Sequence, residues 1–197
     1  MSATDGLLEA IAGALDPVLG AWVRDGTAEV DGYPVPGLPA SAVWRVRMSN
    51  LDHPVQAYVG VWPDCSARVL ADHQEGFFEL AAASAIDIVD PGTALGYVLA
   101  FLEVTRGPMV IVRAIGSVAD ITWRPGSDAE EARRAAFLAD APVQPPSAAR
   151  SGDRFHVEAW LVVDQRIQLN TFDVARDGSL TATFRVVAAD LPLPIAR

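Results

Sequence analysis

The sequence predicts an α+β fold: a twisted, mainly antiparallel β-sheet with about three α-helices packed against it, ending in a three-stranded meander. Three observations carry this expectation. Apolar residues recur at helical spacing in three separate stretches, the period drops to two between them, and residues 153–197 read as strand and turn throughout.

The first helix is expected over residues 5–22, where Leu7, Leu8, Ile11, Leu15, Val18, Leu19 and Trp22 form an apolar stripe. Thr4 or Asp5 would cap it. A bend or break belongs at Asp16-Pro17, because proline removes a helical hydrogen bond and clashes with the preceding turn. Residues 25–41 are rich in Gly and Pro and read as turns around one short strand. Trp44, Val46 and Met48 then alternate with Val43, Arg45 and Arg47. After a turn at 49–54, which includes His53, Val55, Ala57, Val59 and Val61 alternate with Gln56, Tyr58, Gly60 and Trp62. Paired as a hairpin, these runs place the aliphatics on one face and Arg45, Arg47, Gln56, Tyr58 and Trp62 on the other. A third strand is expected near 67–72 and a fourth near 77–80. Residues 81–89 fit strand or helix equally.

The second helix is the best marked. Asp90 is an N-cap, Pro91 takes the first helical position, Leu95, Val98, Leu99 and Leu102 form the stripe, and Gly107-Pro108 stops it. Residues 109–114 and 117–123 are strand-like, with Gly116 where a bulge would fall. Ser127 and Glu130 have capping-box spacing and open a third helix over 128–139. Residues 141–152 are expected to be an extended linker before the meander, inside one domain spanning 1–197.

In the meander, Asp177-Gly178 signals a two-residue type I′ turn. That turn would set Thr171 opposite Phe184. At the preceding turn, a three-residue loop of Asp164, Gln165 and Arg166 keeps Leu161 opposite Leu169; a two-residue loop would put Leu161 opposite Gln168 and interrupt the apolar face. One face is then Phe155, Val157, Ala159, Leu161, Val163, Ile167, Leu169, Leu180, Phe184 and Val186. The other carries His156, Glu158, Trp160, Asn170, Phe172 and Arg185. Aromatic bodies ringed by hydrogen-bonding groups are how ligand pockets and protein interfaces are built, so these six are the candidate binding residues; the alternative is that a helix or loop of the same chain covers this face.

Chemistry-bearing motifs are scarce. The chain's 25 acidic residues against 15 basic ones give a net charge of -10, which repels a phosphate backbone and argues against nucleic acid as a partner. All the basic residues are Arg, so lysine Schiff-base chemistry is excluded; with the abundant Ala this matches a GC-rich bacterial genome. One cysteine builds neither a disulfide framework nor a Cys-based zinc site. His53, His73 and His156 lack metal-ligand spacing, so no metal and no cofactor is expected. The turn Asp72/His73/Glu75 is read as solvated, and Cys65 as an inert core thiol. Phosphate-cradling glycine loops and a nucleophile elbow are absent from the sequence. The amino-terminal stretch has no basic region typical of a secretory signal and no apolar run reaches membrane-spanning length, so a cytoplasmic protein without a membrane partner is expected.

The function expected is therefore non-enzymatic: an accessory protein that self-associates as a homodimer or grips a protein partner through the mixed sheet face. The alternative is a cofactor-independent isomerase, cyclase or hydrolase acting on a small molecule in a sheet-lined pocket. There Glu158 or His156 would be the base, Arg185 the anion clamp and Trp160 a wall.

Overall fold

The computed structural model describes residues 3–49, 55–108 and 110–195. In chain order the elements are α1 Ala3–Ala14, α2 Pro17–Arg24, β1 Glu29–Gly32, β2 Val43–Met48, β3 Val55–Val61, β4 Ala67–Val69, α3 Gln74–Ala83 and α4 Pro91–Val104. There follow β5 Val112–Ile115, α5 Asp128–Ala139, β6 Ser147–Ser151, β7 Arg154–Val163, β8 Arg166–Ala175 and β9 Leu180–Ala188. The class is α+β as expected, but the strands form two open antiparallel sheets and not one.

The first sheet has strand order β1-β2-β3-β4. Its β2–β3 register, Trp44 opposite Val59 and Val46 opposite Ala57, is the one the alternation implies. The aliphatic face packs on α1 and α2, burying Val46, Met48 and Val59 with Ile11, Leu19 and Val23. The helices part at Asp16-Pro17, where the Asp16 carboxylate accepts from the N–H groups of Val18 (3.0 Å) and Leu19 (3.2 Å). Thr4 and Asp5 lie inside α1, so neither occupies the N-cap position. Gly20 allows α2 to cross α1 closely, because a Cβ there would collide with the Ala12 carbonyl. The opposite face of this sheet is covered too: Val43 and Tyr58 are buried with Phe77 and Leu80 of α3 and Phe101 of α4.

Several local expectations are corrected. Residues 77–80 are helical, in α3, because Phe77, Leu80 and Ala81 at i, i+3 and i+4 all turn into the core. The ambiguous stretch 81–89 finishes α3 and then runs extended, its Ile88 N–H donating to the Arg176 carbonyl at 2.8 Å. Residues 117–123 contain a 3-10 turn, Val118–Asp120, gathered by the Asp120 carboxylate, which accepts from Gly116 (2.8 Å) and Ser117 (2.9 Å) N–H groups. In the supposed linker, 147–151 form β6, paired with β7 across a turn at Gly152 (φ 64°). The turn at 50–54 with His53, and Met109 in the expected strand, lie outside the described residues.

Helix α4 starts as expected, with the Asp90 carboxylate accepting from Thr93 N–H (3.0 Å) and hydroxyl (2.6 Å). Its buried positions are Ala94, Tyr97, Val98, Ala100, Phe101 and Val104, whereas Leu95, Leu99 and Leu102 are only partly covered. The helix is apolar around most of its circumference because it contributes to a core shared by both sheets, so sequence periodicity alone does not choose its buried side. Helix α5 has the expected capping box: Ser127 N–H donates to the Glu130 carboxylate at 2.8 Å, and Glu130 N–H to the Ser127 hydroxyl.

The second sheet has order β5-β7-β8-β9, with β6 sharing the β5 side of β7. Here both hairpin registers differ by one residue from the expected ones. The β7–β8 loop has two residues, Asp164 (φ 50°) and Gln165, so Leu161 stands opposite Gln168. Distant chain segments hold this loop. Asp164 N–H donates to the Ile111 carbonyl (2.9 Å), its carboxylate accepts from Ile111 N–H (3.2 Å), and the Gln165 carbonyl accepts from Leu191 N–H (3.1 Å). The β8–β9 loop has three residues, Arg176, Asp177 and Gly178. Gly178 N–H donates to the Ala175 carbonyl (3.0 Å) and Ala175 N–H to the Ser179 carbonyl (2.8 Å). Gly178, at φ 80°, takes the left-handed position that closes a three-residue hairpin with a bulge. Tyr97 fixes it there by donating its hydroxyl proton to the Gly178 carbonyl at 2.9 Å.

Candidate functional site

A one-residue shift moves every side chain of a strand to the other face, and here it divides the six candidate residues. His156, Glu158, Trp160 and Arg185 share one face of the second sheet, while Asn170 and Phe172 share the other. Glu158 stands opposite Thr171, and Trp160 opposite Leu169, which also faces Arg185 across β9.

Their environments differ as much as their faces. Phe172 is in the core between the sheet and α4, among Tyr97, Phe155 and Val174. Asn170 is 8% exposed, and its Nδ2 finds no hydrogen-bond partner among the described residues. Trp160 is covered by the chain itself, packed with Ile115, Ile121, Phe137 of α5, Leu191 and Leu193. His156 and Glu158 stand in solvent. The imidazole Nδ1 lies 3.1 Å from an Asp173 carboxylate oxygen, and Nε2 lies 3.8 Å from Glu158. Arg185 is exposed on β9 and forms no ion pair among the described residues.

β9 itself is the feature that the expected register concealed. It pairs with β8 on one side, and among the described residues nothing pairs with its other side. Residues 181–186 are all exposed, Phe184 at 64% and Val186 at 42%. On the same face one strand inward, Phe172 is 2% exposed, so the cover over this face ends before it reaches β9. Arg185 is the only charged residue of the strand.

A second concave region lies beside α4. Tyr33 just after β1, Arg45 and Tyr58 from the first sheet, Leu99, Leu102 and Glu103 from α4, and residues of β5 line a cleft of about 400 Å³. The Tyr58 hydroxyl donates to Glu103 at 2.7 Å and accepts from Gln56 at 2.7 Å. Burial, reinforced by the Glu103 hydrogen bond, raises the Tyr58 pKa and keeps the phenol protonated. Tyr33 packs edge-on against Tyr58, with Arg45 over its ring and held to Asp31 at 2.6 Å. The sequence signal for this cleft was the Arg45/Gln56/Tyr58 face of the first hairpin, read there as a sheet face and not as a site. Leu99 and Leu102, assigned to the core stripe of α4, form its apolar wall.

Cys65 is exposed and not a core thiol. It occupies a turn at φ 65°, where the neighbouring Asp64 carboxylate accepts from Ser66 N–H (2.9 Å) and hydroxyl (2.6 Å). Asp72, His73 and Glu75 lead into α3, and among the described residues no three potential metal ligands converge. No helix among the described residues is long and apolar enough to cross a membrane. Comparison of the chain with family models, curated proteins and solved structures found no match.

Proposed function

We propose that this chain is a non-enzymatic accessory protein that binds a protein partner by strand addition at the free edge of β9. One observation carries the reading: the nine residues of β9 have a side that no strand among the described residues pairs, exposed apolar side chains and no carboxylate, in a chain of net charge -10. Edges of this kind are templates for another strand, with main-chain hydrogen bonds supplying affinity and alternate side chains supplying selectivity. Of the six residues expected to bind, Arg185 belongs to this surface and His156 and Glu158 lie on the same sheet face. Trp160 is covered on that face by α5 and the 191–193 segment, and Asn170 and Phe172 are buried on the opposite one. A cytoplasmic setting is part of the reading, since a solitary exposed thiol at Cys65 suits a reducing compartment. The acidic charge argues against nucleic acid as the partner.

A fluorescein-labelled peptide of alternating Val and Thr tests strand addition by anisotropy. Saturable binding is expected, weakened at least tenfold in Ala182→Pro, whose ring removes an outward N–H without touching the β8 ladder. Absence of saturable binding, or equal binding by the variant, overturns the reading.

The cleft beside α4 supports a second reading, a small-molecule site. The actors expected for an enzyme, His156, Glu158 and Arg185, stand elsewhere, on β7 and β9. In the cleft the polar groups are the Tyr58–Glu103–Gln56 cluster, with Arg45 at the wall.

A further inference from the structure

We propose that the strand added at β9 is β9 of a second copy of this chain, paired antiparallel about a twofold axis through Phe184. This rests on the reading of β9 as the docking edge and commits it to one occupant.

The Ala175–Ser179 hydrogen bond fixes those two residues as a bonded pair, and bonded pairs alternate along an antiparallel ladder. With the observed register, Thr181, Thr183 and Arg185 direct their backbone groups to β8. Ala182, Phe184 and Val186 direct theirs outward. The residues with free backbone groups are thus also those with exposed apolar side chains.

That arrangement is self-complementary. An axis at Phe184 sets Ala182 against Val186 of the second copy, Phe184 against Phe184, and Thr183 against Arg185. Outward amides meet outward carbonyls, apolar residues meet apolar residues on one face, and the central pair is aromatic on aromatic. The single charge of the strand meets a threonine. Moving the axis to residue 185 would oppose Arg185 to itself, which is unfavourable. The same acidity that repels two copies over most of their surface is missing from β9, so this is a place where they can approach. The irregular pairing that skips Val187 ends the regular edge and limits the match to its central residues. The regular match, residues 182–186 of each copy, is well under the about 20–30 residues a side of a standard interface, so weak association, in about the micromolar range, is expected.

Sedimentation velocity across a concentration series reads the result. The mass should rise from the monomer's 20.9 kDa toward twice that value, while Ala182→Pro and Phe184→Lys stay monomeric with wild-type thermal melting. In a Cys65→Ser background, Phe184→Cys should form a covalent dimer under mild oxidation, because a hydrogen-bonded antiparallel pair lies within disulfide reach. A wild type monomeric at near-millimolar concentration overturns the inference, as does a dimer that both edge variants leave intact. If the Val/Thr peptide binds a chain that never self-associates, the second copy is the wrong occupant and the docking edge stands. If neither associates, both readings fall.

Discussion

The two sheets of this molecule treat their edges differently. The first ends in β1, four residues bearing Glu29 and Asp31, and β4, three residues bearing Arg68. The acids of β1 are paired with Arg45 and Arg47 of β2 at 2.6–3.6 Å, and Arg68 reaches Glu79 at 3.1 Å. Short, charged edges are poor templates for another strand. The second sheet ends in β9, nine residues long with one charge and Phe184 and Val186 in water. Both faces of the first sheet are covered by helices, whereas cover over the second stops one strand short. The contrast teaches that an apolar strand residue is core or contact surface according to what lies above it: Phe172 and Phe184 share one sheet face, and only Phe172 is covered.

The sharpest test sets two phenylalanines of one sheet face against each other. Phe172→Ala should cost about 3–5 kcal/mol in urea unfolding, because it opens a cavity beneath α4. Phe184→Ala, measured below any association threshold, should change stability by no more than about 0.5 kcal/mol. Comparable losses at both sites would erase the difference between covered and bare strands.

A smaller effect is expected at Asn170, next to Phe184 across the ladder. Its buried amide nitrogen lacks a partner, so Asn170→Leu should raise stability by about 1 kcal/mol in the same assay. Destabilisation by that amount would place the amide in a polar, partnered setting. The second sheet would then be less fully covered than described.

The smallest effect concerns α5, part of the cover over Trp160. The Ser127 backbone N–H, then Arg124 and the Ser127 hydroxyl, pull the Glu130 pKa from 4.5 down to about 2. A depressed carboxylate pKa stabilises the fold above the unfolded value and stops doing so as the pH falls through the folded one. Glu130→Gln should therefore melt below wild type at neutral pH. The gap should narrow between pH 4.5 and about 2 and close at the bottom of that window. A gap that does not change with pH would assign the loss to packing and not to charge.

Much of this was legible in the sequence. Pro17 with Asp16, Asp90 with Pro91, and Ser127 with Glu130 each mark a helix start through contacts inside one turn. The first hairpin followed from alternation because, although both its faces are covered, one is aliphatic throughout and the other carries Arg45, Arg47 and Gln56, so only one register keeps the aliphatics together. The candidate site was legible only in part. The last meander did hold the exposed surface, but the residues chosen there assumed one buried face and one open face. In fact α4 covers β7 and β8 on one side, and α5 with the 191–193 segment covers Trp160, Val162 and Ile167 on the other. With apolar residues wanted on both faces, the pattern no longer selects a register.

By itself, then, the sequence determined where α2, α4 and α5 begin, where proline breaks a helix, which stretches of the first hairpin alternate, and that the molecule is acidic and α+β. These depend on forces acting across a few residues: capping hydrogen bonds, a fixed φ, the two-residue period of a strand. The tertiary structure decided the registers of the last two hairpins, and with them which side chains are buried and which strand is bare. Asp164 answers to Ile111 and Gln165 to Leu191, while the bulged turn at Gly178 is held by Tyr97, 81 residues away. A register is a choice between arrangements of nearly equal local energy, so contacts distant in sequence settle it.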